Sequence, residues 1–224
     1  MSWNLTLQTP FNCIISGISQ SGKTTFIRNL LQMRNYIFSN PPKHIILYYK
    51  IQQDIYEQML EEKSIDELIN ISDTDLSFES INEKVSIHKE DGGSLIIFDD
   101  SMTDIYKDFE QIFTNISHHN NCSVIFATQN LFYKDKTYRT MSLNVHYFII
   151  MKNNRDQQQV ANLARQISPN NSIYVTKSYE NATKYPYSYL LIDFKPNTPP
   201  ALRLRTNILP HEFPLIVYLE NEAK

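Results

Sequence analysis

Glycine is scarce in this chain of 224 residues, occurring only at Gly17, Gly22, Gly92 and Gly93, against a norm of about 7%. Each should mark a place where the backbone needs freedom that a side chain would deny. Cys13 and Cys122 are the only cysteines, too few for a disulfide framework and without zinc-ligand spacing, which suits a reducing compartment. If the strands that carry them are neighbours the two thiols could lie close, and buried small thiols are favoured over a redox pair. The six histidines form no metal constellation. Long apolar runs are also lacking: stretches such as 95–98 fall far short of the ~20 residues of a membrane helix, and the mean hydropathy is −0.39. The opening MSWNLTLQTPFN has no basic region followed by an apolar one, so no secretory signal is read. A soluble, non-secreted chain without a membrane partner is expected.

Hydrophobic residues make up 42% of the chain, with 14 Tyr and 12 Phe, enough apolar surface to exclude disorder as the main state. The length fits one domain over 1–224. Charge is unevenly placed. Residues 54–91 carry 12 of the 24 acidic residues and only three lysines, a local balance of −9 that leaves +6 on the rest of a chain whose net charge is −3. The segment reads as a solvated helical insertion, about 51–92, and the basic remainder could hold a polyanion with the acidic segment turned away from it.

Apolar runs at 11–16 (FNCIIS), 44–49 (HIILYY), 94–98 (SLIIF), 122–127 (CSVIFA) and 146–151 read as buried strands. Helical periodicity falls between them. Phe26, Ile27, Leu30, Leu31 and Arg34 follow the first strand; Ile105, Phe109, Ile112, Phe113 and Ile116 follow the third; Val160, Leu163, Ala164 and Ile167 share a face of a helix over 156–167. Alternating strands and helices imply a mainly parallel α/β sheet with right-handed crossovers. Segments 187–194, 202–206 and 214–219 read as short strands extending one edge antiparallel, in a β-rich extension of about 185–220.

Two of the glycines belong to a motif. Gly17-Ile18-Ser19-Gln20-Ser21-Gly22-Lys23-Thr24 fits G-x-x-x-x-G-K-[ST], with a strand before it and a helix after it. In such a loop successive backbone N–H groups up to Thr24 and Thr25 wrap a β-phosphate at a helix N-terminus. Lys23 would span the β- and γ-phosphates and the Thr24 hydroxyl would coordinate Mg²⁺, so ATP and Mg²⁺ are the expected cofactors. LIIFDD is the companion: Asp99, ending a buried strand, is the metal-side acid, and Asp100 would polarise a water for attack on the γ-phosphate. The alternative for Asp100 is a cap on the following helix. Gln129 ends the next strand at the same edge, where an amide can sense the γ-phosphate; the alternative is an ordinary loop residue.

GISQSGKT, LIIFDD and VIFATQN, in this order and at these intervals, resemble the FtsK/HerA superfamily of RecA-like (ASCE) P-loop ATPases. Within it the chain is similar to the genome-packaging ATPases of adenovirus-like viruses, virophages and Polinton or adintovirus elements. Arg139-Thr-Met-Ser-Leu-Asn144 and the following HYFIIMKNNRDQQQVANLARQI add to the resemblance, which covers about residues 10–168. One departure is Asp rather than Glu at position 100. The resemblance implies a homo-oligomeric ring, pentameric or hexameric, that moves double-stranded DNA into a capsid through capsid or portal partners, in the host nucleus, at the viral assembly site or in the virion. It also implies an arginine acting across a subunit boundary, with Arg139 the first candidate and Arg155 the second.

Lys134 and Lys136, interleaved with Phe132, Tyr133 and Tyr138, are the candidate DNA contacts, because sequence-independent transport needs phosphate contacts rather than base readout. Arg203 and Arg205 on a late strand are another candidate patch for DNA, with solvated edge charges the favoured reading. His118 and His119 read as charge partners of a helix C-terminus. The rival functions are a nucleotide or nucleoside kinase, against which the lack of an Arg-rich lid argues, and a nucleotide-gated assembly factor without turnover, against which Asp100 and Gln129 argue.

Overall fold

The structure is a computed structural model that describes residues 5–99, 111–116, 120–130, 143–155 and 157–220. Among the described residues nine strands form a single sheet: β1 (Asn12–Ser16), β2 (His44–Tyr49), β3 (Glu67–Asn70), β4 (Ser94–Asp99), β5 (Cys122–Thr128), β6 (Tyr147–Met151), β7 (Tyr189–Asp193), β8 (Leu204–Thr206) and β9 (Ile216–Tyr218). Their spatial order is β3-β2-β4-β5-β1-β6-β7-β8-β9. The first six are mutually parallel, and β7, β8 and β9 add antiparallel at one edge, as the proline-punctuated runs near the C-terminus anticipate.

Among the described residues the helices are α1 (Lys23–Gln32), α2 (Arg34–Ile37), α3 (Asp54–Glu61), α4 (Phe78–Ser86), α5 (Gln157–Ile167) and α6 (Ser172–Ala182). Strand alternation sends successive side chains to opposite faces, so two cores form. On one face Cys13 and Ile15 of β1, Leu95 and Ile97 of β4 and Ile125 of β5 meet α1, Ile37 of α2, and Tyr56 and Met59 of α3. On the other Ile14, Ile96, Phe98, Val124 and Phe126 meet α4, the helical segment Ile112–Ile116, α5 and α6. Cys13 and Cys122 therefore belong to different cores and are free and buried. Burial pushes both thiols up, away from thiolate chemistry.

The acidic segment is more than a helical insertion. It supplies α3, then β3, which pairs parallel with β2 through Ile46↔Glu67 to Tyr49↔Asn70, then α4. Several of its charges are paired: Glu62 accepts from Arg28 and from Gln32 Nε2 (2.8 Å), Glu67 meets His44 (2.7 Å) and Lys84, and Asp91 meets Lys43 (2.7 Å). Arg205 is also different from its expected solvated role. It is 1% exposed and its Nη2 donates to Asp193 Oδ2 at 2.7 Å, because its position on β8 faces inward. Arg203 is exposed. Among the described residues, no helix is long and apolar enough to cross a membrane, and no cluster of His, Cys, Asp or Glu could hold a metal by itself.

Candidate active site

β1 lies between β5 and β6, so the loop after it emerges at the carboxyl edge of the parallel sheet, where ligands of such sheets gather. The loop turns back into α1 at once. Gly17 is held against β6: a Cβ there would stand 2.4 Å from Ser21 Oγ and 2.7 Å from Met151 Cβ, so only glycine fits. Gln20 (φ 64) and Gly22 (φ 94) are left-handed, which folds the loop into a concave nest of N–H groups. The amides of Ile18, Ser19, Gln20, Gly22 and Thr24 have no backbone acceptor among the described residues. Ser21 Oγ is buried without a hydrogen-bond partner among the described residues.

Lys23 is 7% exposed, and its Nζ donates to the carbonyls of Gly17 (2.7 Å) and Ile18 (3.2 Å). A buried ammonium satisfied by two loop carbonyls spans the mouth of the nest and can exchange those acceptors for others. One residue on, Thr24 Oγ1 donates to Asp99 Oδ2 at 2.7 Å. Asp99 ends β4, two strands away from β1, and is 2% exposed. The same Oδ2 accepts from the Tyr56 hydroxyl at 3.0 Å, and Gln53 Nε2 donates to that hydroxyl at 2.8 Å. Tyr56 is 1% exposed, one helical turn from buried Met59 on α3, which is why the acidic segment's first helix reaches the site. The donor set at this point is oxygen only, a hydroxyl and a carboxylate, as a small hard cation requires.

Gly22, Lys23, Thr24 and Asp99 line a cleft of about 830 Å³. Ile51, Gln53, Asp54 and Ile55 form one side; Tyr187, Leu209 and Glu212 form the other. Glu212 Oε2 accepts from the Leu209 amide (3.2 Å) and from the Tyr189 hydroxyl (2.5 Å). Burial, then the charge of Glu212, push the Tyr189 phenol far up, so it stays a donor. Gln129 lies one residue beyond β5, two residues past Ala127, the register partner of Asp99, and is exposed and outside the cleft walls. Arg155 is exposed beyond β6, its amide donating to Asn153 Oδ1 at 2.9 Å. Asp100, Lys134, Lys136 and Arg139 lie outside the described residues, as do Phe132, Tyr133, Tyr138, His118 and His119. Tyr56, Tyr187 and Glu212 escape motif reading. For Tyr56 the available signal was its i, i+3 spacing with Met59 on a helix flanking β2.

A family model of the poxvirus A32 protein matches residues 2–179. The chain belongs to the poxvirus A32 protein family. It is a viral genome-packaging ATPase. No curated protein matches the sequence significantly. Among solved structures, B204, the DNA-packaging ATPase from Sulfolobus Turreted Icosahedral Virus, is similar with TM-score 0.58 at 15% identity, covering 85% of this chain and 96% of that one. ATPases 2 and 3 of EssC from Geobacillus thermodenitrificans give TM-score 0.51 at 12% identity over 96% of this chain and 41% of that chain. The cytoplasmic domain of the Type VII secretion ATPase EccC from Thermomonospora curvata gives 0.50 at 12% over 93% and 25%. The A32-family chain thus spans less than half of the EssC and EccC chains it matches. At such identities the likeness is one of fold, that of RecA-like P-loop ATPases, as the resemblance to the FtsK/HerA superfamily implies.

Proposed function

We propose that this chain hydrolyses ATP at the Gly17–Thr25 loop and couples the reaction to translocation of double-stranded DNA into a viral capsid. The observation that carries the reading is the 2.7 Å hydrogen bond from Thr24 to Asp99, which brings the hydroxyl of the loop motif and the acid of LIIFDD to one point beside the Lys23 ammonium. Gly17, Ile18, Ser19, Gln20, Ser21, Gly22 and Thr25 supply the cradle, whose unused amides suit phosphate oxygens. The residues fit Mg²⁺: Thr24 and Asp99 would hold it, and it would neutralise charge on the β- and γ-phosphates. Lys23 then moves from the Gly17 and Ile18 carbonyls onto the phosphates, a change of acceptor that needs no new buried charge. Asp100 positions the attacking water and Gln129 reports the γ-phosphate to the loop that follows it.

In this reading the subunits form a ring of five or six, Arg139 reaches a neighbour's site with Arg155 the second candidate, and Lys134 and Lys136 touch DNA phosphates. Capsid or portal proteins are the docking partners, and the nucleus, the viral assembly site or the virion is the place of action. The test is phosphate release by the purified chain with and without duplex DNA. Stimulation by DNA, its loss in Asp100→Asn with ATP binding retained, and partial recovery on mixing Arg139→Ala with Lys23→Ala chains are the expected results. Turnover indifferent to DNA, or phosphoryl transfer to a nucleoside instead of water, would overturn the motor reading.

A further inference from the structure

The direction in which a nucleotide lies in the cleft follows from the sheet order. The acid that pairs with Thr24 is on β4, on the β3-β2 side of β1. The terminal phosphate and its cation therefore face that side, and the nucleoside must leave the loop toward β6, β7 and β8. On that side the cleft is walled by Tyr187, which precedes β7, and by Leu209 and Glu212, which follow β8.

Tyr187 is unusual there. It is a bulky residue with φ 63, a conformation that costs energy and persists where something over-determines it, often at ligand clamps. The residue is 68% exposed, and among the described residues its hydroxyl has no hydrogen-bond partner. The ring nonetheless rests on the phosphate loop: a Cβ on Gly22 would stand 3.1 Å from its Cδ1. An exposed aromatic face held beside a phosphate cradle is a stacking platform. Glu212 adds an acceptor. Its Oε2 is fixed by Leu209 and by Tyr189, Tyr189 is itself braced edge-on against Phe26 of α1 at 4.6 Å, and Oε1 makes no hydrogen bond among the described residues.

We propose that Tyr187 and Glu212 form a nucleobase subsite for adenine, with the ring stacking on the base and Glu212 Oε1 accepting from its exocyclic amine. The inference rests on the phosphate-loop reading above and extends it to a base-recognition site built by the antiparallel edge of the sheet. Removing the stacking ring costs about tenfold or more in affinity, the usual scale for a base on an aromatic side chain. Removing the acceptor abolishes the preference for a 6-amino group.

The experiment measures binding to the full chain, in the presence of Mg²⁺, of a non-hydrolysable ATP analogue, the triphosphate of purine riboside, which keeps the ring and lacks the amine, and inorganic tripolyphosphate. Tyr187→Gly removes the ring and tolerates φ 63, so it keeps the loop folded. It should weaken the ATP analogue at least tenfold and leave tripolyphosphate unchanged, and Tyr187→Phe should bind the analogue as the parent does. The parent should prefer the 6-amino nucleotide about fivefold or more, and Glu212→Gln, whose amide oxygen still accepts from Leu209 and Tyr189, should bind both nucleotides within twofold. Unaltered nucleotide binding by Tyr187→Gly would overturn the subsite while leaving the phosphate loop intact. A parent that binds neither nucleotide nor tripolyphosphate would overturn the phosphate-loop reading and this one with it.

Discussion

Replacing Tyr56 by Phe removes one oxygen atom from a hydrogen-bonded chain that runs Gln53 Nε2, Tyr56 OH, Asp99 Oδ2, Thr24 Oγ1 over distances of 2.8, 3.0 and 2.7 Å. The ring stays packed, so no cavity opens. What is lost is a donor to a buried carboxylate, an interaction of about 1.5–3 kcal/mol when one partner is charged. Asp99 keeps the Thr24 donor, and Gln53 is exposed and can turn to water, so the low end applies. At about 1.5 kcal/mol the melting temperature of a chain this size falls by about 3–6 °C. The effect on the site is larger. With the Tyr56 restraint gone, Asp99 must be reoriented when a cation arrives, and loss of a partner that orients a metal-side carboxylate typically costs 10- to 100-fold in metal affinity or activity. The assay is the dissociation constant of a non-hydrolysable ATP analogue measured across a Mg²⁺ titration, beside a melting curve. The Mg²⁺ midpoint should rise at least tenfold while affinity without Mg²⁺ holds. A melting temperature lowered as stated with a Mg²⁺ midpoint within twofold of the parent would show that Tyr56 only packs α3, and would refute the reasoning.

Gly22→Ala should destabilise the chain by about 1–2 kcal/mol, the cost of a Cβ in a left-handed conformation, and should weaken nucleotide binding because the added carbon meets the Tyr187 ring at 3.1 Å; an unchanged melting curve would contradict the φ of 94. Arg205→Met leaves the Asp193 carboxylate buried without its partner at 2.7 Å, a loss of about 3–5 kcal/mol in urea unfolding, most of which the double change Arg205→Met with Asp193→Leu should recover. Stability should also fall as pH rises above the ordinary thiol value of 9.0. Burial raises Cys13, Cys122, Tyr48, Tyr147 and Tyr189, so beyond their unfolded values the folded chain keeps protons that the unfolded chain gives up, and each group removes up to about 1.4 kcal/mol per pH unit. Urea midpoints that stay flat through about pH 10 would count against that burial.

How much of this was legible in the residues depended on whether a local pattern or a distant partner decided the outcome. HIILYY and CSVIFA are buried on both faces of the sheet, and a continuous apolar run reports that directly. The loop from Gly17 to Thr24 was legible because its glycines are required by geometry that has no other solution. α6 was missed. Its sequence, SIYVTKSYENA, is rich in β-branched and aromatic residues with weak helical preference, and the helix is held by Asn171 accepting from the Tyr174 amide and by Val175 and Tyr179 packing into the core. β3 was missed for the opposite reason: ELIN sits at an edge with every residue half-buried, so neither alternation nor a solid apolar run marks it. Arg205 was misjudged because a charge on a short late strand looks like an edge device, whereas Asp193, twelve residues earlier on β7, draws it inside.

The same distinction separates the two ends of the cleft. The cation end is written in motifs, since Lys23, Thr24 and Asp99 must sit at fixed places on α1 and β4 for the chemistry to work at all. Its support is not, because Tyr56 acts through Asp99 and any helix able to place a hydroxyl there would serve. The acidic segment has therefore two separable parts: α3, tied to α1 by Glu62 accepting from Arg28 and Gln32 and to the site by Tyr56, and β3 with α4 at the far sheet edge, whose Glu67 is held by His44 and Lys84. Burial works against the ionised Glu67 but these two partners outweigh it, leaving its carboxyl below the ordinary value of 4.5. Glu67 thus contributes stability that is present above that value and is lost as pH falls through the lower folded one. Glu67→Gln should flatten that acid limb and leave the Mg²⁺ midpoint of nucleotide binding untouched. A shifted Mg²⁺ midpoint in this variant would mean that the sheet edge and the cation site move together, and that α3 does not insulate one from the other.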